Sequence, residues 1–545
     1  MSFCRNTSQQ LSFFDSTSNL TKRELKGLEN SWAQTFSTDI FPIIDENRFS
    51  VLYSDNPASR PNNPVNVTFG LTMIREMLDL SDDESKNSLM FDIRFQYALH
   101  TTSFKEQPIS KNSLTNFRAA VQRYYEKTGI DIIKEEIERI AKIFAKQLDI
   151  NGDKIRMDSL MISSSCKRLS RLEIMYSCVE RLVKKLDEDK LSDSLKMYLD
   201  KKNYTDVIYR CRNTDINTRL AAVITDAVAL VEMNKDTDVV SSQDYINLTR
   251  MLDDQTKIVD GKYEIKPSKE ISAVSLQNPT DTDATYRKKG KTGHVGYVGN
   301  VAETFDGNNS IITHYDLQQN IYHDKDFAND FINKMDIQEE KTTVIVDGAF
   351  YSEEIAAKAS EKNLEFIPTN LVGRETTIAI TEYQKFLLDE KNHTIVKCPM
   401  GKSPISCRYQ DGMYTAYFHK DTCSLCINRH NCPIKEQKKR FILTVSEKVF
   451  HRAALIEKMG SKEYKELAAL RAGVEGIPST MRRRYGIDDK PVRGKSRMTL
   501  WFGILVGAMN CKSYIKGKMN APLKHLGDNM LEVLCFQRAS FMIAA

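Results

Sequence analysis

Three acidic residues stand where carboxylates could do chemistry. Asp347 closes the β-branched run of "KTTVIVDGAFYSEE", residues 341–354. Asp158 lies inside the strand-like run of "DKIRMDSLMISSS", residues 153–165, and Glu475 sits in "LAALRAGVEGIPSTMRRRYG", residues 467–486. Cleavage and transfer of a phosphodiester call for two divalent ions about 3.5–4 Å apart, one on the attacking and one on the leaving oxygen. Hard ions such as Mg2+ or Mn2+ prefer carboxylate oxygens. Three acids brought together from two strands and a helix would meet that demand, whatever their separation in sequence.

Arginines accompany the third acid. Arg471 is four residues before Glu475 and Arg482 is seven after it, a spacing that predicts one helix face. A guanidinium beside a metal-binding acid suits a scissile phosphate. Arg482, Arg483, Arg484, Arg493 and Lys495 then concentrate positive charge in "MRRRYGIDDKPVRGKSR", as a DNA backbone track would. Gly473, Gly476 and Pro478 predict a kink beside Glu475. Each feature also has an ordinary structural reading: a strand-end Asp closes turns, and a Glu among arginines forms surface ion pairs.

A second group is cysteine-based. Cys423-x2-Cys426-x5-Cys432 begins like a zinc knuckle, and Cys398 is the natural fourth ligand. Cys407, His419 or His430 are substitutes, and unligated thiols are the plain alternative.

Positioning such groups requires a sheet. The strand-like segments 153–165, 292–305, 309–318, 342–346 and 364–370 alternate with helical ones at 325–336 and 352–362, which predicts a mixed sheet flanked by helices. Residues 1–150 form a helical N-terminal domain, its terminal end partly disordered. "SDDE" marks a capping box, with Ser81 as N-cap and Glu84 three residues on. Leu169, Leu172, Met175, Val179, Leu182 and Leu186 recur at helical spacing and open a helical insertion over about 166–255. The expected division is therefore 1–150, a core over 151–375, a Cys-rich β insertion over 376–445, and a core C-terminal part over 446–545 carrying Glu475.

Bulk properties narrow the class. A chain of 545 residues with 41% hydrophobic and 28% charged content can bury large cores, in about two to four domains. The net charge of +5 is small for that length and does not alone indicate nucleic acid. "MTLWFGILVGAM", residues 498–509, is about half the length that spans a bilayer and predicts a buried helix, so no membrane partner is expected. The N-terminus lacks a secretory pattern, and eleven cysteines then point to reduced thiols in a cytosol-like compartment, which for the family resembled below would be a prokaryotic cytosol or nucleoid.

The motifs together resemble those of DDE-type insertion-sequence transposases, in particular the insertion sequence 1182 group. The resemblance rests on "RMDSLMISSSCKRLSRLE" (156–173), "DTDATYRKKGKTGHVGYVGNVAET" (281–304), "VIVDGAFYSEE" (344–354), "RAGVEGIPSTMRRRYG" (471–486) and "PVRGKSRMTLWFGILVGAMN" (491–510), in family order. It implies an RNase H-like α/β catalytic domain with Asp158, Asp347 and Glu475 as the acids holding Mg2+ or Mn2+. Asp281 and Asp283 are rivals for the first position. Ala468 stands where relatives place a Tyr. The implied activity is metal-dependent cleavage at terminal inverted repeats followed by strand transfer into target DNA, by two subunits on double-stranded DNA. The N-terminal domain would read the repeats, with "KNSLTNFR" (111–118) as a candidate contact. A transposase-derived binding protein without chemistry, or a nuclease that cuts without joining, are the alternatives.

Overall fold

The computed structural model describes residues 1–6, 16–56, 58–101, 109–110, 112–307, 309–371, 380–389 and 391–520. Lys111 and part of the N-terminal end, residues 7–15, lie outside them. The chain forms two compact units: residues 1–152, 159–323 and 477–545 make one, and residues 153–158 and 324–476 the other. These units cut across the expected boundaries, because the helical first 152 residues group with the central and C-terminal segments.

In the first unit the last helix, Lys495–Asn520, is the organising element. Phe502, Ile504, Leu505, Val506 and Ala508 are buried, as expected of an all-apolar run too short for a membrane. No helix among the described residues is long and apolar enough to cross one. Its small residues allow close approach. A Cβ on Gly507 would lie 2.6 Å from Met73 of helix Val65–Met77, and one on Gly503 2.6 Å from the Tyr315 hydroxyl. The Ser81–Glu84 capping box forms, opening helix Asp82–Phe91. Helices Arg171–Val183, Ile216–Asn234 and Gln243–Gln255 share a core that includes Met175, Leu182, Ile224, Leu230 and Met251.

Six strands form one mixed sheet. They are β1 (Lys154–Ser163), β2 (Thr285–Lys289), β3 (Thr292–Phe305), β4 (Ser310–Gln319), β5 (Thr342–Val346) and β6 (Leu364–Pro368). The order is β2-β3-β1-β5-β6, with β4 on β3. The β2-β3-β4 run is antiparallel, whereas β1, β5 and β6 are parallel. Parallel strands are covered on both faces, which explains why Val344, Ile345 and Val346 run consecutively apolar and fully buried.

Within the second unit, helix Glu353–Ser360 connects β5 to β6, capped by Ser352, whose hydroxyl accepts from Ile355 N. A small four-stranded antiparallel sheet follows: β7 (Ser406–Gln410), β8 (Met413–His419), β9 (Lys435–Glu436) and β10 (Arg440–Ser446), in the order β7-β8-β10-β9. Asp411 and Gly412 turn β7 into β8 with φ of 51° and 72°, the left-handed pair that tight hairpins require. Phe418, Phe441, Leu443 and Phe450 form its core.

Candidate active site

Asp158 lies on β1, and Asp347 lies just beyond its parallel neighbour β5. β1 pairs with β5 as Lys154 with Thr343, Ile155 with Val344 and Arg156 with Ile345. Asp158 and Asp347 each lie two residues beyond the last of these pairs. Asp347 directly follows β5, at the carboxyl end of a parallel strand, where open α/β sheets place their ligands.

Glu475 joins through an arginine. Arg471 donates from Nη2 to Asp158 Oδ1 at 3.0 Å and from Nη1 to Glu475 Oε1 at 2.9 Å. The Arg471 side chain is 12% exposed, against 18% for Asp158 and 61% for Glu475. The exposed Glu475 arm is therefore the weaker, worth about 0–1 kcal/mol.

The expected kink is displaced. Residues 447–483 form three helices, Glu447–Gly460, Lys462–Ala469 and Ala472–Arg483, and the break falls at Leu470 and Arg471, ahead of Glu475. Pro478 is accommodated inside the third helix. Two residues that the sequence reading passed over explain the break. Arg156 Nη1 donates to the Leu470 carbonyl at 2.9 Å, and its guanidinium occupies the space a Cβ on Gly473 would take. Arg156 shares its strand face with Asp158, a period-two relation that was the available signal. Tyr464 adds a second anchor: its buried hydroxyl donates to Pro368 O at 2.7 Å, tying helix Lys462–Ala469 to the end of β6.

Gly348 has a different reason from free backbone rotation: its φ is not positive. Gly348 N donates to Asn370 Oδ1 at 2.7 Å, and a Cβ here would lie 2.4 Å from the Asn370 carbonyl oxygen. Asn370 thus holds the turn that carries Asp347. Gly348→Ala should cost about 1–3 kcal/mol by forcing that backbone apart, read as a lowered denaturant midpoint. An unchanged midpoint would remove this role for the contact.

The rival acids have other work within the first unit. Asp281 is 1% exposed and accepts from Ser164 Oγ at 2.5 Å, Tyr297 Oη at 2.5 Å and Gly494 N at 3.2 Å. Asp283 Oδ2 accepts from Lys495 N at 2.9 Å, satisfying the start of the last helix. Both acids fasten the 491–497 loop.

The basic track divides. Arg482 lies seven residues after Glu475 in the same helix, and its guanidinium bonds Met161 O at 2.8 Å and Asp488 at 3.2 Å. Arg483 and Arg484 are exposed, and Arg493 is exposed with Nε donating to Ser165 O at 3.0 Å. Lys495 is half-buried, with Nζ donating to Gln318 at 2.6 Å. Lys512 was not expected here. Burial, and after it the neighbouring charges of Arg484 and Lys516, push its ammonium down to about 8. In the N-terminal segment Arg118 pairs with Asp82 and lies 5.5 Å from the Trp501 ring centroid, while Leu114 and Phe117 are buried. The described part of 111–118 is thus a packed helix start.

Among the described residues no group of three or more His, Cys, Asp or Glu stands ready to hold a metal ion. For the acids, Arg471 bridges two of the three. The donor set itself fits Mg2+ or Mn2+ in kind, being carboxylates only.

Comparison with known proteins gives one family match over part of the chain. Residues 397–515 match the family described as transposase DDE domain, about a fifth of the chain, including Glu475 but neither Asp158 nor Asp347. Among solved structures, the chain is similar to the piggyBac transposase synaptic complex with hairpin DNA, determined by cryo-EM. That match has 10% identity over 93% of this chain and 77% of the other, at a TM-score of 0.29. A likeness at that level carries no argument about fold or mechanism. No curated protein matches the chain significantly.

Proposed function

We propose that this protein is a DDE-type DNA transposase of the insertion sequence 1182 group, with an RNase H-like sheet. On this reading it binds the terminal inverted repeats of its element as a homodimer in the bacterial cytosol and cuts and joins DNA there. The observation that supports the reading is the Arg471 bridge from Asp158 to Glu475, on a strand that pairs in parallel with the one Asp347 follows.

Asp158, Asp347 and Glu475 would hold Mg2+ or Mn2+. When bound, such ions supply a water acidified enough to attack and neutralise charge on the leaving oxygen. The chain's own residues do the rest. Glu475, held by the weaker arm of Arg471, is the acid free to swing. Arg471, released from the carboxylates, presents a planar donor pair to a phosphate. Arg156 keeps the start of the Glu475 helix on the strand that carries Asp158. The exposed Arg483, Arg484 and Arg493 supply backbone contacts, each adding to the salt dependence of binding.

The test is direct. The full chain with Mg2+ should nick a duplex taken from the DNA flanking its coding sequence, leaving a 3′-hydroxyl, and should join that end to a plasmid. Nicking without joining would favour a nuclease; binding without nicking would overturn the chemistry.

Arg471→Gln should separate its two roles. Loss of the phosphate donor predicts about a 10²-fold slower cleavage. Loss of the competing cation predicts a lower Mg2+ concentration at half-maximal rate. A Mg2+ titration showing neither change would contradict both.

A further inference from the structure

We propose that Cys398, Cys423, Cys426 and Cys432 bind one structural zinc ion that holds the small sheet's long connection in place. The inference stands apart from the DNA chemistry. All four thiols line one cavity in the second unit, together with Phe418 and Ile434. Its volume is about 20 Å³, just above the ~10–15 Å³ that one water-sized occupant needs. Four cysteines are the donor set that structural zinc takes. Cys407, His419 and His430 do not line that cavity.

Local backbone geometry favours ligation at Cys398. Cys398 N donates to Lys402 O and Gly401 N to Cys398 O, both at 2.8 Å. Gly401 supplies the left-handed φ of 73°, and Lys402 N donates to Cys398 Sγ at 3.4 Å. On the other side, Cys423 ends a short helix and Cys426 N donates back to Cys423 O at 3.3 Å, so both belong to one turn.

The need for a staple comes from burial. Residues 420–439 connect β8 to β10, and of their side chains only Cys423, Cys432 and Ile434 are buried. Leu425 and Ile427 are 87% and 86% exposed. Ordering a backbone costs about 1–2 kcal/mol per residue, and so little apolar burial does not offset it. The four side chains ring the cavity without closing on one point. Coordination therefore asks them to turn inward about χ1.

Elemental analysis of the full chain purified with zinc should find about one ion per chain. Cys423→Ser/Cys426→Ser should lose it, and Cys407→Ser should keep it. Because the double variant could misfold, the wild type is also treated with a zinc chelator. Proteolysis within residues 420–439 should then rise severalfold and fall again on adding zinc. Wild type that holds no zinc yet resists proteolysis equally with and without chelator would overturn the proposal. So would zinc retained in the double variant, or a disulfide among these cysteines in freshly purified protein.

Discussion

Replacing Asp347 by asparagine is expected to slow Mg2+-dependent cleavage at least ~10³-fold, about 4 kcal/mol in the barrier, while duplex binding survives. The substitution keeps the shape and removes one charge. Asp347 follows the buried Val344–Val346 run and is half-exposed, so no core contact is lost. Its neighbour Gly348 remains bonded to Asn370. What changes is the oxygen donor set beside Asp158. Single-turnover cleavage and a binding titration on the same duplex separate the two quantities. A variant that binds and cuts like wild type would remove Asp347 from the chemistry.

The second large effect distinguishes two candidates for the first acid. Asp158→Asn should also lower cleavage at least ~10³-fold. Asp283→Asn should leave most of the rate per folded molecule and reduce stability by about 1 kcal/mol, the scale of a helix N-terminal contact. The reason lies in their partners. Asp158 reaches Arg471 and lies on the strand that pairs with β5, which Asp347 follows, whereas Asp283 accepts from the backbone N–H that begins the last helix. Cleavage lost in Asp283→Asn and kept in Asp158→Asn would reverse the assignment. Denaturant unfolding of both variants shows whether a lost rate is merely lost protein.

Local patterns were legible from sequence. The β-branched run Thr342–Val346 is a strand with those bounds, Ser81 and Glu84 form their capping box, and the apolar segment near residue 500 is a buried helix. Each depends on neighbours within a few residues. Asp158, Asp347 and Glu475 could be singled out as acids at a strand, a strand end and a helix. Which of them meet depends on β1–β5 register, a pairing between segments about 190 residues apart. The grip of Arg156 on Leu470 and the contact of Asn370 with Gly348 were equally hidden, because nothing periodic announces them. The helical spacing of Arg482 from Glu475 was legible, but its partners Asp488 and the Met161 carbonyl were not. The grouping of the N-terminal helices with the last helix is likewise a long-range packing result.

The central claim is that Asp158, Asp347 and Glu475 act together on one metal site. Mn2+ uptake by the full chain bound to its flanking-DNA duplex, followed by electron paramagnetic resonance, tests it most directly. The account predicts saturable Mn2+ binding by wild type and at least ~10-fold weaker binding in each of Asp158→Asn, Asp347→Asn and Glu475→Gln, a loss of about 1.4 kcal/mol or more. Wild-type Mn2+ affinity in all three variants, with DNA still bound, would contradict it.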